Sequence, residues 1–104
     1  MPRFIFAYHG GKKPESPEAA QAFMARWREW SSAHDAAFEN KGAPVGMSKT
    51  VSAGGVADNG GSNPLSGYSI LDVADIDAAI EIAKSCPHLV HGTIEIAPII
   101  DMEM

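Results

Sequence analysis

The chain has 104 residues and a mass of 11.0 kDa, the size of one domain. At 45% hydrophobic and 20% charged it has the composition of a folded protein rather than a disordered one. Eight Lys and Arg against thirteen Asp and Glu leave a net charge of −5, which argues against nucleic-acid binding and against electrostatic docking on an anionic membrane.

The opening run RFIFAYH, residues 3–9, is aromatic and branched and ends at Gly10-Gly11, a turn signal. It reads as a strand. Phe4, Phe6 and Tyr8 share one face, and Ile5, Ala7 and His9 share the other. Both faces are largely apolar, so the strand is expected to be central and covered on both sides. Ser16-Pro17-Glu18 then supplies an N-cap, a proline at the first helical position and an acid in the first turn. Ala20, Phe23, Met24, Trp27, Trp30, Ser31, His34 and Phe38 follow with the three-and-four spacing of one helix face. The spacing predicts a long amphipathic helix over 17–40, stopped by Gly42.

Residues 47–53, MSKTVSA, alternate and read as a second strand with one wet face. The Gly-, Asn- and Ser-rich stretch after it reads as a loop, with room for a short strand pair around Val56-Ala57. It is not a phosphate loop, since the GxxxxGK[ST] pattern is absent. Asn59-Gly60 reads as hairpin-turn chemistry. A third strand is predicted over 68–73. A second helix is capped by Asp75, buries Ile76, Ala79, Ile80 and Ala83, and ends at Pro87. Residues 93–100, TIEIAPII, form a fourth strand, and Pro98 places its end at an edge or a bulge.

The order β-α-β-β-α-β over 1–104 is that of a single ferredoxin-like α+β domain: an antiparallel four-stranded sheet with two helices on one face. The far face has nothing in the chain to cover it. A second copy, packed sheet to sheet as a homodimer, is the simplest cover.

These residues resemble the YCII-related family, in the branch described as DGPF-domain proteins. The resemblance spans nearly the whole chain. It rests on Tyr8-His9-Gly10-Gly11, on Gly46 to Val51 (GMSKTV), on Asn63 to Ile70 (NPLSGYSI), on Asp77-Ala78-Ala79 and Cys86-Pro87-His88, and on Gly92 to Ile96 (GTIEI) with Pro98. The DGPF tetrapeptide itself is absent. The resemblance implies a dimeric α/β barrel and a small protein proposed in some members to be an enzyme with a His-Asp pair. Relatives near sigma-factor genes imply, as an alternative, a non-catalytic binding or regulatory module. In the better-studied branch the histidine lies on the first helix. Here that helix carries only His34, and its neighbour Asp35 diverges from it by about 100°, so the two make no ready dyad.

His9, at the end of the first strand, is the candidate general base, with Asp72 on the neighbouring third strand to orient it. The plain alternative is a strand-end histidine bonded to a loop. Lys49, Tyr68 and Ser69 place a cation and hydroxyls on the middle strands, where they could bind a small polar ligand, with His88 beside them. Lys49 has the competing role of guarding a sheet edge. Cys86, His88 and His91 are metal-ligand types, but Pro87 breaks their helix and a fourth ligand is not evident, so neither metal nor cofactor is expected. Trp27 and Trp30 read as packing anchors. One cysteine excludes an internal disulfide, and the N-terminal apolar run is too short for a signal peptide, so a cytoplasmic, membrane-free protein is expected.

Overall fold

A computed structural model describes residues 2–102. Strand β1 (Arg3–Gly10) is followed by helix α1 (Pro17–Ala33), strand β2 (Phe38–Pro44) and two short strands, β3 (Thr50–Ser52) and β4 (Gly55–Ala57). Strand β5 (Leu65–Asp72), helix α2 (Ile76–Lys84) and strand β6 (Gly92–Pro98) complete the chain. The main sheet has the order β2-β5-β1-β6 and is antiparallel throughout. That is the ferredoxin-like order, with β1 central as its two apolar faces require. Pro98 closes β6, an edge strand, where a missing N–H costs no ladder bond. No helix is long and apolar enough to cross a membrane among the described residues.

Both helix starts are built as the sequence predicts. The Ser16 side chain accepts from the Ala19 N–H at 3.0 Å, and Asp75 accepts from Ala78 N–H at 2.8 Å. The two helices cover one face of the sheet. Phe4, Phe6 and Tyr8 pack there with Leu71, Val73, Trp30, Ala79, Ala83 and Cys86. On α2, Ala79 and Ala83 are buried but Ile76 and Ile80 are largely exposed, and Ile82 packs against the core instead.

The second strand of the sheet is not where the pattern placed it. Helix α1 ends at Ala33, a single 3-10 turn spans Asp35–Ala37, and β2 begins at Phe38. The predicted helix over 17–40 is therefore about two turns too long. The cause is physical: Phe38 falls on the apolar face of a continued helix by spacing, about two turns beyond Trp30, yet from its strand position it reaches back to the Trp30 ring at 5.4 Å and is partly buried there instead. Periodicity could not separate the two conformations, and the free edge of β5 decided between them by offering a ladder. The β2 residues ENKGAP carry no β-branched side chain, so nothing local announced a strand.

Residues 47–53 supply β3, which pairs only with β4 in a hairpin turned by Ala53-Gly54. The turn is thus not at Asn59-Gly60. Asn59 instead accepts the Thr50 hydroxyl on its carbonyl at 2.9 Å and the Gly61 N–H on its side chain. The hairpin is exposed on both sides, with Val51 and Val56 paired across it.

The far face of the sheet carries Ile5, Ala7, Tyr68, Ile70 and Ala97, all of intermediate exposure. The chain exposes 7168 Å², against roughly 5,600 Å² for a compact monomer of its mass. Its radius of gyration is 15.1 Å, against about 13 Å for a compact domain of this length.

Candidate functional site

The helix-side face opens into a cleft at the C-terminal end of β1. It lies between β1, the first half of α1, the end of β2 and the 3-10 turn Pro87–Val90, and its volume is about 620 Å³. That is within the range of small-molecule sites, ~300–1,000 Å³.

Three buried polar side chains meet there: Tyr8 is 5% exposed, Ser69 2% and His88 8%. Their hydrogen bonds have a fixed direction. Ser69 Oγ lies 2.8 Å from the Lys41 carbonyl, which can only accept, so Ser69 donates its one proton to it. Tyr8, 2.9 Å from Ser69 Oγ, must then donate to Ser69. The phenolic oxygen is left with its lone pairs free to accept. Burial raises the Tyr8 pKa well above its usual value, and the Ser69 bond offsets only part of that, so the group stays a neutral phenol. His88 Nε2 donates to the His9 carbonyl at 2.9 Å, which fixes its tautomer when neutral and leaves Nδ1 as an acceptor.

Aromatic rings form the wall. The Tyr8 ring meets Trp27 edge-on at 5.3 Å and His88 at 5.4 Å. Phe23 packs edge-on against Trp27 at 6.3 Å. Trp27 is therefore cleft wall as well as packing anchor. Trp30 is the anchor proper: its indole N–H donates to Ile82 O and Ser85 Oγ and ties α1 to the end of α2.

Local backbone chemistry holds these groups in place. Between Tyr8 and His9 the β1–β5 register slips by one residue, and Ser66 at the bulge donates to the Tyr8 carbonyl at 3.0 Å. Bulges of this kind re-aim strand side chains. Gly42 has φ +75°, and a side chain there would strike the Tyr68 carbonyl. A Cβ on Gly92 would collide with the His88 imidazole and the His9 carbonyl, so glycine is what lets His88 seat against β1.

The sequence-predicted site residues divide. Ser69 and His88 come together in the cleft. Tyr68 borders it, but strand alternation puts it on the far face of the sheet with Ala7. Lys49 is on the approach to the hairpin, paired with Asp58 at 2.7 Å and outside the cleft.

His9 and Asp72 do not converge. Asp72 pairs in register with Arg3, six residues from His9 along β1, or ~20 Å. Both lie on the far face, at opposite ends. His9 has a carboxylate partner of another kind, Glu95, at 3.0 Å from Nε2, while Nδ1 contacts the Asn63 carbonyl at 3.1 Å. Both ring nitrogens face acceptor oxygens, and His9 is outside the lining of the cleft.

Cys86 is buried, and burial pushes its thiol up to about 11, which leaves it a poor nucleophile. Among the described residues, no cluster of three or more His, Cys, Asp and Glu is arranged to hold a metal ion.

Tyr8 is the buried cleft residue that sequence reasoning missed. A signal existed: a tyrosine alternating with two phenylalanines on a buried strand face needs a partner for its hydroxyl.

A family model for the YCII-related domain matches residues 4–103. The chain belongs to the YCII-related domain family. The match takes in every strand and helix of the fold except Arg3, the first residue of β1, and it includes all the cleft residues. A comparison with curated proteins finds no match.

Proposed function

We propose that this YCII-related protein binds a small organic molecule in the Tyr8–Trp27–His88 cleft, and that it works as a cytoplasmic homodimer. The observation that carries the binding reading is the convergence of Tyr8, Ser69 and His88, all nearly inaccessible, on an aromatic-walled cleft of ligand size. Directed acceptors at the base of an apolar cleft orient a ligand, and the aromatic walls supply contact area. No reaction is assigned. A His9–Asp72 step has no geometry in the single chain, since the two side chains sit at opposite ends of the sheet.

The dimer reading rests on the half-covered apolar residues of the far face and on the excess exposed area. That excess is comparable to or above the ~800 Å² per partner that a standard interface hides. The cytoplasmic reading rests on a single buried free thiol.

Saturation-transfer NMR against a set of small metabolites tests the binding. Hits are expected whose signal is lost in Trp27→Ala; hits indifferent to Trp27→Ala and to Tyr8→Phe would overturn the assignment. Sedimentation equilibrium at micromolar concentration tests the dimer. It should return twice 11.0 kDa, and a stable monomer would refute it.

A further inference from the structure

The lining of the cleft has a charge pattern opposite to that of the chain. The protein carries thirteen acidic and eight basic residues, yet among the described residues no Asp or Glu lines the cleft. Lys12, Lys41, His88 and His91 do. The two lysines come from different elements, Lys12 from the turn after β1 and Lys41 from β2. Each already touches a carboxylate, Glu15 at 3.3 Å and Asp35 at 2.8 Å, but both acids are mostly exposed and lie outside the lining. Exposed pairs of this type are weak and open to exchange. An anion entering the cleft can exchange with these exposed carboxylates, and no acidic residue of the described lining opposes it.

Deeper in, the hydrogen-bond directions select a second feature. The Tyr8 oxygen has given its proton to Ser69 and can only accept, so it calls for a hydroxyl or N–H on the ligand. The Trp27, Phe23 and Tyr8 rings favour a flat π-surface between these two ends.

We propose that the ligand is a planar aromatic acid bearing a ring hydroxyl or equivalent donor, with its carboxylate toward Lys12 and Lys41 and its donor toward Tyr8. This deepens the binding reading above and rests on it.

Three probes separate the two by saturation-transfer NMR with the 104-residue chain: 4-hydroxybenzoate, its neutral counterpart 4-hydroxybenzyl alcohol, and cyclohexanecarboxylate, which keeps the charge without the aromatic ring. The 4-hydroxybenzoate ion is expected to bind at least tenfold tighter than either of the others. In the double variant Lys12→Gln/Lys41→Gln its advantage over the alcohol should shrink to threefold or less, with the alcohol unchanged. Both positions are on the surface, and the Lys41 carbonyl that receives Ser69 is retained. Equal or tighter binding of the alcohol would overturn the acid class and leave the cleft as a binding site. Equal binding of cyclohexanecarboxylate would overturn the aromatic requirement alone. No transfer to either aromatic probe at millimolar concentration would overturn both the ligand class and the cleft reading.

Discussion

The two faces of the sheet are made by the same strands, yet they are finished to different degrees. On the helix side Phe4, Phe6, Tyr8, Ser69 and Leu71 are almost wholly covered. One residue along the chain in each case, Ile5, Ala7, Tyr68 and Ile70 face the other way and remain half-exposed. The helix face closes its own core and still holds a polar cluster at one end. The far face has an apolar centre of Ile5, Ala7, Tyr68, Ile70 and Ala97 with charged residues such as Arg3, Asp72 and Glu95 around it, and no helix of the described residues packs over it. Apolar alternation therefore describes a strand's surroundings, not whether one chain supplies them all.

The sharpest test of that contrast is a pair of neighbours. Phe6→Ala removes a fully buried ring and should cost ~3–5 kcal/mol in chemical denaturation. Ile70→Ala, at a similarly central position on the far face, should cost less than about 1.5 kcal/mol when measured under conditions that keep the chain monomeric. Equal losses would mean that the far face is already closed within one chain.

The second test acts on association. Ile70→Lys puts a charge at the centre of the far face, where its stem can still lie along the sheet in a single chain. Sedimentation should then show the chain mass at micromolar concentration with a cooperative unfolding transition retained. A variant that stays dimeric would move the interface elsewhere, to the hairpin or the helices.

Most of this contrast was legible in the sequence. The two-sided pattern of residues 3–9 fixed β1 as central, and Ser16 and Asp75 marked both helix starts to the residue. The second strand was not legible, because after Phe38 the residues ENKGAP include no strand-forming side chain and its position depends on the edge of β5, a tertiary fact. The site was half legible. Ser69 and His88 announced themselves as polar groups in apolar surroundings. The separation of His9 from Asp72 was legible in the antiparallel order itself: both residues close their strands, and adjacent antiparallel strands place their C-terminal ends at opposite ends of the sheet.

A third test stays within the helix face and separates its core from its cleft. Gly92→Ala drives a methyl group into the His88 ring and the His9 carbonyl. Overpacking of this kind costs ~1–3 kcal/mol, and displacement of His88 should weaken binding of 4-hydroxybenzoate by tenfold or more. Tyr8→Phe is gentler. It removes one donor and leaves Ser69 bonded to the Lys41 carbonyl, so the expected loss of stability is ~0.5–1.5 kcal/mol. If Gly92→Ala bound the probe normally, His88 would not belong to the site.

The smallest effect vanishes at neutral pH and grows only in alkali. Cys86 and Tyr8, both on the helix side, have pKa values raised by burial: Cys86 from 9.0 to about 11, and Tyr8 upward from 10.0. Each keeps in the folded state a proton that the unfolded chain releases sooner. Above about pH 9 the folded state therefore binds more protons than the unfolded one, and stability must fall as pH rises. From pH 7 to 8 neither group changes charge in either state, so neither contributes a slope. Denaturation midpoints taken from pH 7 to 10.5 should be flat and then decline. Cys86→Ala should move the onset from near pH 9 to near pH 10, because Tyr8 alone is then left to drive it. An onset unchanged by Cys86→Ala would show that the thiol is not desolvated, and that the helix side of the sheet is less closed than its burial indicates.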